Sequence, residues 1–250
     1  MPIATTSTEA THLLADDRSF QDLLWPYLAP YLVYVAISSI PDSLLPAEAA
    51  QGLKLVATAA VLFWFLKCYR FGPLKLFHGI IALLSLPVAL LCWIGPFYLL
   101  SELGILDVVS SGKGETFSAS YFYLRLLNSV ILVAIFEELL IRVYVMGWLH
   151  QAGLQWQEKG MVASILDTLD QRPKFLIALP LSPFAVIGTT IVFAAGHQVH
   201  EYLSAALYFL FTTWLYKKSG SLWVCILIHG LTNLTIALLV RYAGMGWLWG

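Results

Sequence analysis

Charge is what this sequence has least of. Its 14 basic and 15 acidic side chains make up 12% of 250 residues, against roughly 25% in an average soluble domain. The two signs nearly cancel, which excludes the basic patterning of a nucleic-acid binder. Cysteine is scarce as well. Cys68, Cys92 and Cys225 lie in or beside apolar stretches without metal-ligand spacing, so they read as packing residues and imply no redox compartment. Nor does a basic segment precede a short apolar core at the start. Asp16, Asp17 and Arg18 stand there instead, so no secretory signal is expected. With no internal repeat, low-complexity tract or soluble domain in view, residues 1–250 are expected to form a single integral membrane domain, 1–20 being a polar N-terminal segment.

Apolar residues are what is there. They make up 59% of the chain, and the mean hydropathy is +0.77. That leaves too little polar surface to cover a globule in water, so hydrocarbon must be part of the solvent. Runs long enough to span, about 17–25 residues, are bounded by polar flanks near Trp25–Ile40, Leu53–Phe71, Leu76–Leu100, Leu124–Leu149, Ile177–Ala195, Tyr202–Tyr216 and Leu222–Val240. The expected architecture is all-α: a polytopic transmembrane helix bundle of seven spans, or eight if a long run carries an extra half-span. Two polar connections interrupt it. Ser101–Ser120 reads as a flexible loop, and His150–Lys174 carries an amphipathic piece at Met161–Leu169 suited to the membrane interface. Lys67, Arg70 and Lys75, then Lys159, Arg172 and Lys174, then Lys217 and Lys218 follow spans two, four and six, against little more than Lys113 on the opposite side. This places the N-terminus and the even-to-odd loops in the cytoplasm.

The polar residues inside apolar runs are few and costly. Glu137 and Glu138 alone among the acids lie deep in a span, where one charge costs about 2.5–3.5 kcal/mol on insertion scales. Arg142 stands four residues after Glu138, on the same helix face and in the favourable acid-then-base order. A structural ion pair would account for Glu138. Glu137, about 100° around the helix, has no such local explanation. His197, preceded by Phe193 and the small Ala194, Ala195 and Gly196, ends the fifth run; alone, it reads as a helix-helix hydrogen bonder. His229 and Asn233 share a face one turn apart and could simply bond each other. The case for function is joint: two carboxylates, two imidazoles, an amide and a guanidinium are needed in apolar helices only if they converge. Such a set suits water activation. A buried carboxylate can act as general base, an imidazole can orient the water, and an imidazole with an amide can stabilise an oxyanion. No serine or cysteine stands at i+3 or i+4 from these groups, so nothing favours a covalent nucleophile.

Glu137-Glu138-x-x-x-Arg142, Phe193-x-x-x-His197 and His229-x-x-x-Asn233, in that order on separate spans, resemble the three motifs of the CAAX prenyl protease and bacteriocin-processing family of intramembrane endopeptidases. The resemblance covers about Ser129 to Ala237, within an expected motif-bearing region 124–240. It implies glutamate-dependent hydrolysis without a covalent intermediate or a cofactor. In that reading Glu137 is the water-activating base helped by His197, His229 and Asn233 form the oxyanion side, and Glu138, Arg142 and Phe193 support them. A membrane-associated protein or peptide substrate, the lipid bilayer as partner and a bacterial inner-membrane location follow from the same likeness. Val143 and Tyr144 stand where the family often has glycine, which puts the local packing in question. The Ala194-Ala-Gly-His-Gln198 run with Glu201 is similar to an exosortase-associated bacterial branch.

Three other readings fit the same residues. Glu137, His197 and His229 could ligate zinc, although no His-Glu-x-x-His helix is present. The buried acid and histidines could serve a proton-coupled transporter, against which stands the lack of inverted repeats. A non-catalytic membrane scaffold would keep every motif residue. One tension is internal to the endopeptidase reading: the charge map puts His197 toward the outer side and His229 toward the inner third.

Overall fold

The computed structural model describes residues 18–106, 118–173 and 181–249. Every regular element among these is helical. Helix α1 spans Phe20–Ser38, α2 Ala47–Trp64 and α3 Leu76–Glu102. A single unbroken helix, α4, then runs over 119–159. Its α-helical stretches Ala119–Leu127, Ala134–Glu137 and Met146–Lys159 alternate with π-helical ones at Asn128–Val133 and Glu138–Val145. The remaining helices are α5 (Met161–Leu169), α6 (Pro183–Ala195), α7 (Tyr202–Ser219) and α8 (Leu222–Ala243).

The boundaries follow from ordinary signals. Ser19 and Asp22 form a reciprocal capping box at the start of α1. Ser182 accepts from the Ala185 N–H, and Pro183 occupies the first position of α6, where its missing N–H costs nothing. Gly220 ends α7 at φ 64°, a left-handed conformation that closes the turn into α8.

Each expected apolar run, where described, falls largely on a helix; residues 177–180 of the fifth run lie outside the described residues. Two of the helices, α3 and α8, are long and apolar enough to cross a membrane. Only 22% of the apolar window of α3 is buried within the protein. Its Leu83, Leu84 and Leu91 face outward, a surface that hydrocarbon accommodates and water does not. The expected count of seven or eight spans is therefore present as helices but not as demonstrated crossings.

Several boundaries differ from expectation. Helix α2 stops at Trp64, and Leu66–Cys68 is a short 3₁₀ turn rather than the end of a span. The loop expected over 101–120 is shorter at both ends, since α3 reaches Glu102 and α4 begins at Ala119; residues 107–117, with Lys113, lie outside the described residues, as do 1–17 and Lys174. The stretch from His150 is not an open connection. The helix α4 continues through it, and α5 folds back on it, with Trp148 Nε1 donating to the Ile165 carbonyl (3.0 Å) and Gln151 Nε2 donating to Gln171 Oε1 (2.8 Å) and the Arg172 carbonyl (3.1 Å).

The α1–α4 contact explains the departure from glycine after Arg142. Buried Tyr144 donates to the Phe20 carbonyl (2.9 Å) and its ring stacks on Tyr27, 5.6 Å between centroids. At the other end of α4, Ser118 and Ser120 donate to the Glu48 carboxylate, joining the starts of α2 and α4. These two hydrogen bonds hold Glu48 below the usual carboxylate range. The double replacement Ser118→Ala/Ser120→Ala is expected to return Glu48 to that range, which a pH titration of its carboxyl carbon by NMR reads. An unmoved titration midpoint would disprove the linkage.

Candidate active site

The two π-helical stretches of α4 arrange the site. A π turn takes more residues than an α turn, so the angle between successive side chains shrinks and Glu137 and Glu138 can both address one neighbour. That neighbour is His229 of α8. Its Nδ1 lies 3.4 Å from Glu138 Oε1 and its Nε2 lies 3.8 Å from Glu137 Oε2. Helix α8 reaches this close because position 230 is glycine. A Cβ there would stand 2.7 Å from the Val130 carbonyl oxygen in the first π stretch. Gly230→Ala is therefore expected to force α8 away from α4 and to cost about 1–3 kcal/mol. Unfolding in mixed micelles measures it, and a neutral result would show that the approach is not tight.

Glu138 is sealed, its side chain 2% exposed. Arg142 Nε donates to Glu138 Oε2 at 2.5 Å. The remaining guanidinium N–H groups donate to Thr213 Oγ1 (2.8 Å) and Thr212 Oγ1 (2.9 Å) of α7, and the group lies 4.6 Å from the Phe209 ring centroid. The expected i, i+4 pair is present. What the sequence reading missed is its α7 cage, for which the Phe209-x-x-Thr212-Thr213 spacing was the available signal. Glu137 differs from its neighbour in being 20% exposed at the side chain. That surface faces a cavity.

A small cavity of about 100 Å³ is walled by Glu137, His197, His229 and Asn233, with Trp93 and Thr232 beside them. It adjoins a larger one of about 540 Å³ through the shared Glu137, His197, Asn233 and Trp93. All four residues expected to act on substrate therefore meet in one place, and Phe193 lines the small cavity with them. The two histidines meet although the charge map set them apart, and the length of α6 bears on this. Helix α6 has 13 residues, about 20 Å of rise against about 30 Å of hydrocarbon. It ends at Ala195, so His197 sits in a turn beyond the helix, where it lines the small cavity with His229.

The local bonds limit what each group can do. His197 Nδ1 contacts the Phe193 carbonyl at 2.9 Å. A carbonyl only accepts, so Nδ1 carries the hydrogen and Nε2 of the neutral ring is left as acceptor. Phe193 and Trp93 flank that imidazole, with centroids at 4.8 and 5.3 Å. His229 and Asn233 do not pair with each other. Asn233 Nδ2 donates to the Ser129 carbonyl (2.8 Å) in the π stretch, leaving one amide hydrogen uncommitted. His229 Nδ1 faces an acceptor, so Nε2 donates only when the ring is doubly protonated. Cys225, one turn before His229, is fully buried with Sγ 3.6 Å from the Thr212 carbonyl, and it does not line the cavities.

Residues 119–235 match the family model for type II CAAX prenyl endopeptidases, Rce1-like. Over this segment, a little under half of the chain, the sequence is similar to that family. The match runs from the start of α4 well into α8 and contains every residue of the three motifs. No curated protein and no solved structure matches the chain. That similarity supports a hydrolase of the peptidase class and a membrane-associated protein as its substrate. Trp93 and Tyr34, which complete the larger cavity, come from α3 and α1, outside the matched segment.

Proposed function

We propose that this chain is an intramembrane glutamic endopeptidase of the CAAX prenyl protease type, a single membrane domain of a bacterial inner membrane, which hydrolyses a peptide bond near the C-terminus or leader of a membrane-associated protein. The observation that carries the reading is the shared wall formed by Glu137, His197, His229 and Asn233, with the Glu138–Arg142 pair closed behind it.

In this reading a water in the small cavity lies between Glu137 and His197. Glu137 takes a proton from it as the oxygen attacks the scissile carbonyl carbon, and His197 Nε2 accepts the water's other hydrogen as a hydrogen bond. The carbonyl π electrons move to oxygen. The oxyanion meets the free amide hydrogen of Asn233 and, in the doubly protonated ring, His229 Nε2–H. The 3.8 Å separation from Glu137 exceeds a hydrogen bond, which leaves that N–H available to the substrate. Collapse of the tetrahedral intermediate breaks the C–N bond, and Glu137 returns its proton to the leaving amine. Glu138, tied to Arg142 and His229, positions the imidazole and does not itself meet substrate.

The test is turnover of a fluorescence-quenched, S-farnesylated CAAX-type peptide by purified protein and by its Glu137→Gln, His197→Ala and Asn233→Ala variants. Loss in all three with the fold retained is the expected outcome. Full activity in Glu137→Gln would remove the assigned base. Intact activity in the presence of strong chelators is expected as well, and its loss would point to a metal ion.

A further inference from the structure

The larger cavity contains a cation that the chemistry above does not use. Arg125 of α4 lines it together with Glu137, His197 and Tyr34. Its guanidinium meets neutral groups: Nη2 donates to the Trp249 carbonyl (2.9 Å), Nη1 donates to the Tyr121 hydroxyl (3.2 Å), and the plane lies over the Trp249 ring at 4.2 Å. A second cation stands behind the same wall. Lys54 of α2 is only 8% exposed, and its ammonium lies 5.0 Å from the centroid of the Tyr34 ring that lines the cavity. Neither cation has a carboxylate partner among the described residues. Arg125 is half-buried and Lys54 buried, and a cation in a low-dielectric bundle ordinarily pairs with an acid. Here two cations stand beside one open volume, and the two carboxylates that also line it, Glu137 and Glu201, form no ion pair with either.

We propose that Arg125, backed by Lys54, binds a carboxylate of the substrate and so fixes where the peptide lies relative to Glu137. This rests on the endopeptidase reading and extends it to the substrate's charge. Arg125 and Glu137 are twelve positions apart on one helix, at most about 18 Å of rise. An extended peptide covers about 3.3 Å per residue. The held carboxylate therefore lies within about five residues of the bond at Glu137. A free C-terminus and an acidic side chain offer the same chemistry, and both are accommodated by this distance.

The experiment measures binding in detergent micelles to the Glu137→Gln protein, so that the probe is not consumed. The probes are three versions of the S-farnesyl-Cys-Val-Leu-Ser peptide: one with a free C-terminal carboxylate, one with a carboxamide, and one with a carboxamide and Glu in the last position. The free acid is expected to bind about 10- to 100-fold more tightly than the carboxamide, as a charge-assisted contact provides. Adding Arg125→Gln should bring the acid down to the carboxamide's affinity and leave the carboxamide unchanged. Arg125→Lys should keep part of the preference. Lys54→Met, which removes an unpaired buried charge and so leaves the fold intact, should reduce the preference by a smaller factor. The Glu-containing carboxamide decides the source: recovery of tight binding assigns the site to any carboxylate, and no recovery assigns it to a chain terminus.

Equal affinities for acid and carboxamide, equal losses for both in Arg125→Gln, or no binding of any of the three would overturn the proposal. Wild-type turnover of the free acid separates it from the reading beneath it. Cleavage lost in Glu137→Gln alongside equal affinities refutes only the carboxylate site. A carboxylate preference with no Glu137-dependent cleavage refutes the endopeptidase and leaves the anion site standing.

Discussion

Glu137→Gln is expected to lower kcat by about 10²–10⁴-fold, the range a general base contributes, while the protein keeps its helical content and its affinity for peptide. The expectation rests on the contrast between two adjacent carboxylates. Glu138 is enclosed by Arg142 and His229, whereas Glu137 presents 20% of its side chain to the cavity. Gln preserves the shape and the acceptor oxygen, so packing changes little, but it cannot take a proton from water. Glu138→Gln is the informative companion. It retains Glu137 yet loosens His229 and Arg142, so it should reduce both kcat and stability. A kcat loss in Glu138→Gln equal to that in Glu137→Gln, at unchanged stability, would mean the roles are assigned the wrong way round.

The second large effect concerns stability. Arg142→Met removes the partner of a sealed carboxylate and leaves an uncompensated charge in a dry site, for which about 3–5 kcal/mol is expected. The loss is larger than for a surface pair because Arg142 is 1% exposed and also donates to Thr212 and Thr213 of α7. The double replacement Glu138→Leu/Arg142→Met should recover much of the loss, since no charge is then stranded. Denaturant titration in mixed micelles supplies the four corners of this double-mutant cycle. A double variant as unstable as the sum of the single ones would show that the two side chains act independently.

Much of this could be read from particular residues. The scarcity of charge and the long apolar runs anticipated helices apolar enough to cross a membrane, of which α3 and α8 are two. The run Leu222–Val240 anticipated α8, and Met161–Leu169 anticipated α5 to the residue. The acid-then-base spacing of Glu138 and Arg142 foretold a bond made within one helix, because neighbours three or four apart are fixed by helical geometry alone. Relations between helices were not so available. His229 and Asn233 share a face, which suggested a mutual pair, yet they turn to Glu138 and to the Ser129 carbonyl, 91 and 104 positions away. The π stretches carry no residue type that marks them, and they decide both that Glu137 and Glu138 address one imidazole and that Ser129 has a carbonyl to offer. Gly230 could be seen as a small residue, but not as the point where α8 meets Val130.

The sequence by itself determined the all-helical class and the set of polar groups placed in apolar runs, because these depend on composition and on short periodicities. Only the tertiary structure decided which carboxylate faces the cavity and which is closed away. It also decided that His197 lies in a turn beside the cavity that His229 lines, and that Arg125 and Lys54 stand by the same wall. Those outcomes depend on helix length, register and the closeness of packed backbones, which no local spacing encodes.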